Sequence, residues 1–423
     1  MAARAVRIAA VMAGRTALAV PALAAAAARG RSAMRTEALG QLHRLTIALG
    51  PSFIKAAQLL STRRDVLPAG VCEVLGQLHD RVPAMPIATA QATLRAAYAG
   101  RAWPFERIDW AAVGSGSIAC VYRATMPDGR VVAVKARRPG LAGPMHADFA
   151  LLRAGAWAAQ RLPGFRRLPA VRIVEQVRDA VLGQLDFAAE ATALERMRDN
   201  FAGHDHLRLP APLPAESADG VLVMDYVAGL RRMRRADLPR ETAELAVRRI
   251  LRCAYRMLFI DGLVHCDMHP GNLYLTADGE IVLLDMGFVV HLRPRVRRLF
   301  AEFFLNMARG NGAYCADIIL RSAEGTHPGA DLEAFRADIV ALVGAASNRT
   351  AGQFELGPFA ASLFDLQRRH GIAAAPEFIF PLLALLVLEG MINEYDADVD
   401  FQAEAKPLLI RALLTGVPRE PAS

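Results

Sequence analysis

The sequence predicts an α+β fold in two lobes, preceded by a helical extension. Three observations lead there. Residues 111–135 read as a Gly-rich turn and strands, ending in Val131-Val-Ala-Val-Lys135. Leu273-Tyr-Leu-Thr and Ile281-Val-Leu-Leu, joined by the turn Ala277-Asp-Gly279, read as a β-hairpin. Most of the remaining chain carries the 3.6-residue periodicity of amphipathic helices.

At 423 residues, 53% apolar and 22% charged, the chain is long enough for two or three domains or lobes with an ample core. The boundaries we expect are a leader over 1–36, a helical extension over 37–105, a first lobe over 106–228 and a second over 229–423. The five cysteines (72, 120, 253, 266 and 315) contain no C-x-x-C, which argues for a reducing compartment without structural zinc. Net charge is +8, from 50 basic and 42 acidic residues, and only Lys55, Lys135 and Lys406 are lysines. A lysine kept in so arginine-biased a chain suggests a role for a compact ammonium. The basic balance favours an anionic membrane surface over nucleic acid, for which there is no zinc finger or RNA-type aromatic motif.

The leader has no acid but carries Arg4, Arg7, Arg15, Arg29, Arg31 and Arg35 among Ala-rich stretches. An amphipathic membrane-surface helix, a transit peptide and an uncleaved helical leader all fit; we expect the first. No uninterrupted apolar run reaches the roughly 18 residues of a spanning helix. The longest, Phe378 to Leu388, is expected to be a core helix with Pro381 near its start.

In the extension, helices meet a boundary at Gly50-Pro51. Beyond it Phe53, Ala56, Ala57 and Leu60 share an apolar side, while Lys55, Gln58 and Thr62 line another. In the first lobe, Val113-Gly114-Ser115-Gly116-Ser117-Ile-Ala119-Cys-Val121 follows the kinase pattern G-x-G-x-x-G-x-V, with Ala119 for the third glycine. Such a loop lets backbone N–H groups approach phosphates, and Lys135 on the next strand reaches them. The segment from Val171 to Phe201 reads as strongly helical and contains Gln184-Leu-Asp186-Phe-Ala-Ala-Glu190. Glu190 is the candidate partner for Lys135. His204 and His206, in a Pro-rich connection, are expected to be solvent-exposed. Val221 to Gly229 reads as a strand entering a hinge, where Asp225 and Val227 are candidates to hold adenine through backbone groups. After Leu238 the pattern is helical except for the catalytic loop and hairpin.

The densest stretch is His265-Cys-Asp267-Met-His269-Pro-Gly-Asn272, followed by Asp285-Met286-Gly287. It has the spacing of the kinase loop H-R-D-L-x-x-x-N and of D-F-G. Phosphoryl transfer needs one carboxylate to take the proton of the attacking hydroxyl, here Asp267, and oxygen ligands for Mg²⁺, here Asn272 and Asp285. ATP and Mg²⁺ are therefore the expected cofactors.

Taken together, these residues resemble the UbiB family of atypical kinase-like proteins, also called aarF-domain or ABC1-type. The resemblance runs from about residue 39 and rests on Leu49-Gly-Pro-Ser-Phe-Ile-Lys55-Ala-Ala-Gln58, Gln184-Leu-Asp186-Phe187 and the His265–Asn272 loop. It implies a two-lobed protein kinase-like fold whose helical N-terminal extension lies over the cleft, with Lys55, Gln58 and Asp186 pointing into the nucleotide site. It also implies a Lys135–Glu190 ion pair, ATPase activity, a role in quinone or other prenyl-lipid metabolism, and a cytoplasmic location peripheral on the inner membrane. The partners implied are ATP, a lipid or quinone-pathway component and a membrane surface. Three positions depart from the family. Its K-x-G-Q appears with Ala57, its E-x-D begins with Gln184, and its alanine-rich loop is Gly114-Ser-Gly116-Ser117. The family's C-terminal pair of membrane helices is not expected, since the chain ends soon after Lys406.

Three rival readings remain. One is a small-molecule phosphotransferase of the aminoglycoside or choline kinase type, which would leave Lys55 and Gln58 unexplained. Another is a nucleotide-gated lipid-binding scaffold with negligible turnover, which Gln184 favours. The last is a metal hydrolase using His265, Asp267 and His269; we expect both histidines to support the loop instead.

Overall fold

Where the pattern changes from period 3.6 to period 2, the chain passes from helix to short strands. The computed structural model describes residues 2–61, 67, 69–78, 83–161, 170–204, 206–233, 238–268, 272–347, 354–395 and 399–414. The N-terminal helices are α1 (Ala2–Ala28), α2 (Arg31–Leu49), α3 (Pro51–Ser61), α4 (Ala69–Gly76) and α5 (Ile87–Ala97). Strands β1 (Arg107–Ser115), β2 (Ala119–Thr125) and β3 (Val131–Arg137) follow, then α6 (Ala142–Ala159), α7 (Ala170–Gly183) and α8 (Phe187–Asn200). Next come β4 (Leu207–Arg208), β5 (Val221–Asp225), β6 (Arg231–Arg232) and α9 (Arg240–Arg256). After α9 lie β7 (Leu263–His265), β8 (Leu273–Leu275), β9 (Ile281–Leu283), β10 (Val289–His291), α10 (Pro294–Ala308) and α11 (Gly312–Ser322). The last elements are β11 (Ala323–Thr326), α12 (Leu332–Ser347), α13 (Leu356–Arg369), β12 (Ile372–Ala374), α14 (Pro376–Glu394) and α15 (Phe401–Leu414).

The chain forms two compact units, residues 1–189 with 213–225, and residues 190–212 with 226–423. The division passes through α8 after Ala189 and falls again between Asp225 and Tyr226.

In the first unit β1, β2, β3 and β5 form an antiparallel sheet in that order. Helix α5 and the residues after it press Leu94, Tyr98 and Phe105 against Tyr122, Val134 and Val223 of the sheet. Each such aliphatic or Phe side chain contributes about 1.5–3 kcal/mol by leaving water. Gly50, with φ of 102°, makes the break between α2 and α3 in a region that a Cβ disfavours. Pro51 then starts α3 where its missing N–H costs nothing. The extension is thus helical, as expected.

Two expectations need correction here. The helical segment from Val171 to Phe201 is two helices, because the chain turns at Gly183–Asp186 and Asp186 caps the second. The leader is one helix, and Arg4–Ala28 is long and apolar enough to cross a membrane by length and composition. Its arginines interrupt every apolar run without lowering the average below that of a span. This helix packs on α2 and α6, and Arg4 grips Asp148 of α6.

In the second unit, Ala243, Ala246, Val247, Ile250, Leu251 and Ala254 of α9 recur at i+3 and i+4 and are buried. Helix α14 is a core helix, as expected, with Ile379, Leu382, Leu385 and Leu388 buried and Phe378 stacked on Phe300 at 4.1 Å. Strands β4, β9, β8 and β6 make one small sheet, and β7 pairs with β10. The sequence reading missed β7 with β10, and β11 with β12, among the C-terminal helices. Helix α9 ends in a π-helical turn, Met257–Asp261. Gly262 follows with φ of 75°, where an added Cβ would lie 3.1 Å from the Leu292 carbonyl oxygen. That tight corner feeds β7 and, directly after it, the His265 loop.

Candidate active site

In the second unit the β8–β9 hairpin and the β7–β10 pair set two loops side by side. His265 is buried at the end of β7, paired with Val289. The backbone N–H of Asp267 donates to His265 Nδ1 at 3.1 Å. The proton must then sit on Nε2, which donates to the Asp285 carbonyl oxygen. One neutral imidazole therefore ties the Asp267 loop to the Asp285 loop. This is the loop-supporting role expected of His265, and it leaves no ring nitrogen for a metal; His269 lies outside the described residues.

Asn272 sits five residues beyond Asp267 and folds back on it. Its Nδ2 donates to the Asp267 carbonyl oxygen at 2.9 Å and to Asp267 Oδ2 at 3.1 Å. With the amide nitrogen so engaged, the Asn272 side-chain oxygen is the atom it can offer a cation. Asp285 Oδ1 accepts from Gly287 N at 2.8 Å, which bends the chain after β9. Met286, in the place of the usual Phe, is buried at 1% exposure. Its N–H points to Glu190 Oε1 at 3.4 Å, so Glu190, buried in the first turn of α8, braces the Asp285 loop.

Two carboxylates and an amide oxygen suit a hard cation such as Mg²⁺, which takes oxygen ligands and keeps several waters. Among the described residues no group of three His, Cys, Asp or Glu side chains forms a metal cage.

In the first unit, β1 and β2 bring Gly114 opposite Val121 and Ser115 opposite Cys120. Gly116 N donates to the Ala119 carbonyl oxygen at 2.9 Å, closing the hairpin. The loop therefore spends the Gly116 N–H on itself, so that one amide is not available to a phosphate. Ser117 and Ala119 are buried while Ser115 is exposed. Neither glycine is there for folding, since an added Cβ at Gly114 or Gly116 would come no nearer than 3.6 Å to a neighbour. Glycine here leaves room outside the loop. Gly116→Ala is accordingly expected to shift unfolding by less than about 0.5 kcal/mol yet weaken Mg-ATP binding, as titration calorimetry would read. Unchanged affinity would count against a phosphate-facing loop.

Arg138 is the residue missed in this loop. Its Nε donates to the Gly116 carbonyl oxygen at 2.9 Å and its terminal nitrogen to Ser115 Oγ at 2.9 Å and to the Pro83 carbonyl oxygen at 2.6 Å. The only signal in the sequence is its position three residues after Lys135, in a chain full of arginine.

Lys135 lies buried on β3, between Val121 of β2 and Leu222 of β5. Its Nζ stands 5.2 Å from the centre of the Phe187 ring, a cation–π distance. Phe187 opens α8, and Asp186 just before it accepts from Ala188 N and Ala189 N at 3.1 and 3.0 Å. Asp186 is thus the N-cap of α8. Replacing it with Ala should cost about 1 kcal/mol in urea unfolding while Asn retains most of that; no difference between Ala and Asn would refute the capping role. Gln184 is half-buried in the same turn.

Lys55 is half-buried on α3. Gln58 Nε2 donates to the Leu78 carbonyl oxygen at 2.9 Å, so this side chain anchors the chain after α4. The Ala57 methyl group packs with Leu75 and Leu78, filling space that the family's glycine would leave. Thr62 lies outside the described residues. Asp225 is exposed at the end of β5, opposite Val132, and Val227 is buried in the second unit.

Known proteins resemble this chain along most of its length. The family model for the ABC1 atypical kinase-like domain matches residues 77–319, more than half of the chain. A protein named Probable protein kinase UbiB from Edwardsiella ictaluri is 29% identical over 382 residues, covering 88% of this chain and 70% of that protein. Uncharacterized protein sll0095 of Synechocystis sp. is 27% identical over 390 residues, covering 90% and 68%. Rv3197 of Mycobacterium tuberculosis, solved with erythromycin, aligns with a TM-score of 0.60 at 20% identity, over 77% of this chain and 83% of that one. The fold is the α+β, kinase-like one expected, with its helical N-terminal extension. With the family model matching more than half of its length, this chain belongs to the ABC1 atypical kinase-like family.

Proposed function

We propose that this chain is a UbiB-like atypical kinase or ATPase that binds Mg-ATP and supports quinone or other prenyl-lipid metabolism at a membrane. The observation that carries the reading is the hydrogen-bonded set Asp267, Asn272 and Asp285, locked by His265. Positioning is most of what phosphoryl transfer asks of a protein. Asp267 orients the nucleophile, water or a hydroxyl, and takes its proton. Asn272 and Asp285 would hold Mg²⁺, whose chemistry is to neutralise phosphate charge. Lys135, fixed on a central strand, supplies a point charge for the phosphates. The lipid pathway and the peripheral inner-membrane location rest on the resemblance, and the long apolar α1 supports the second.

The test is phosphate release from Mg-ATP by the full chain, with and without phosphatidylglycerol vesicles. Turnover raised by vesicles is the expected result. Measurable ATP binding with no product under either condition would overturn the catalytic part, leaving a nucleotide-gated lipid-binding scaffold.

A further inference from the structure

We infer that the second unit holds a separate binding site for a small amphipathic anion, a phosphate or carboxylate joined to an apolar group. The site is a cavity of about 800 Å³ lined by α9, α15 and the residues just after α8. That volume lies within the usual ~300–1,000 Å³ of small-molecule sites. None of Asp267, Asn272, Asp285 or Glu190 lines it.

Its composition is two-sided. Among the described residues, Arg248, Arg249, Arg252 and Arg256 of α9 and Arg411 of α15 line it, against one carboxylate, Glu404. Arg248 pairs with Glu244 as well as with Glu404, and Arg256 pairs with Asp261. Like charges at i+3 and i+4 on one helix face oppose helix formation by a few tenths of a kcal/mol each. A solvated face would carry interleaved acids; this one encloses a cavity instead. The other lining is apolar, from Phe201, Leu207, Leu245 and Leu408. Leu245 is 47% exposed beside the arginines. Burial pushes the Cys253 thiol up to about 12, so it stays neutral and adds to the apolar wall.

The arginines divide into frame and contact. Arg256 is immobilised by Asp261, by the Asn200 carbonyl oxygen and by His204 Nε2, which accepts its proton. Arg249 donates to the Gly279 carbonyl oxygen at 2.9 Å. Arg252, with a side chain 59% exposed, meets Glu404, which also reaches Arg248. Arg411 is exposed on α15. Glu404 is thus a resident counter-ion that an entering anion can replace on Arg252.

The test titrates the full chain, without nucleotide, using monomeric octyl phosphate, inorganic phosphate and octanol. Octyl phosphate should bind at least ~tenfold more tightly than phosphate, and octanol should not bind measurably. Arg252→Gln with Arg411→Gln should weaken octyl phosphate at least ~tenfold. Leu245→Glu, at an exposed position, should do the same without disturbing the core, while Arg321→Gln on another surface changes nothing. Binding unaffected in both sets of pocket variants, or octanol binding as well as octyl phosphate, overturns the site. Phosphatidylglycerol and phosphatidylcholine vesicles separate the sources. Sedimentation with phosphatidylglycerol alone, lost in the double arginine variant and without binding of the monomer, assigns the anion to a lipid head group. Binding of the monomer assigns it to a soluble ester, and neither response overturns the proposal.

Discussion

Asp267→Asn is expected to slow phosphate release from Mg-ATP by about 10²–10⁴-fold, the usual worth of a positioned general base. The substitution removes the charge and keeps the shape. Asn272 Nδ2 donates to the Asp267 backbone carbonyl and to Oδ2. An asparagine offers an oxygen in the same place, and the contact to His265 is made by the backbone N–H. The loop should therefore stand while its proton acceptor is lost. The fall should appear in kcat and kcat/KM together, with KM for Mg-ATP little changed, as for an interaction made only in the transition state. An unchanged unfolding midpoint would show that the chemistry and not the fold was hit. A variant turning over at the wild-type rate would remove Asp267 from the reaction.

What could be read from the sequence was what local chemistry decides. Strands β2 and β3 and the β8–β9 hairpin were legible because alternating apolar residues flank the turns at Asp128-Gly129 and Asp278-Gly279. The Gly50-Pro51 break was legible because glycine takes the positive φ that ends one helix and proline suits the first position of the next. Asp267, Asn272 and Asp285 were found because five residues on one loop and a hairpin of fixed length leave little freedom in where they meet. The break between α7 and α8 was not, because Gly183 alone is tolerated inside a helix and Asp186 becomes a cap only once the turn exists. Pairing of Ala323–Thr326 with Ile372–Ala374 was hidden too, since neither segment carries a strand pattern and two helices lie between them. Arg138 and the arginines of the α9 cavity owe their roles to what folds around them, and nothing local distinguishes them from the other arginines.

Arg4 and Asp148 are another such pair, 144 residues apart, and Arg4→Ala should be the most destabilising single change in the N-terminal helices. Asp148 is fully buried on α6, and Arg4 meets it with two nitrogens, at 2.6 and 2.7 Å. The same contact raises the Arg4 pKa above its ordinary value, with the hydrogen bond to Asp148 the largest cause. Removing the arginine leaves a carboxylate with neither water nor a counter-charge, a loss of about 3–5 kcal/mol in comparable buried pairs. The pair itself need not be a net gain, because both groups lost hydration when α1 docked. Arg4→Met combined with Asp148→Leu should therefore recover most of the stability, whereas Arg4→Lys, with a point charge for a fork, should fall between. Deleting residues 2–28 should destabilise the first unit as Arg4→Ala does, and Asp148→Asn should rescue both. Urea unfolding of the full chain reads this in the transition that belongs to the first unit, since the two units need not melt together. If Arg4→Ala and the deletion both unfold at the wild-type midpoint, α1 does not brace this fold. With the clasp in place, one end of α1 is committed to α6 while Val6, Leu18 and Val20 stay outward, 60% or more exposed. The helix then serves the fold through Arg4 while its apolar exterior stays exposed, two features that separate variants can measure.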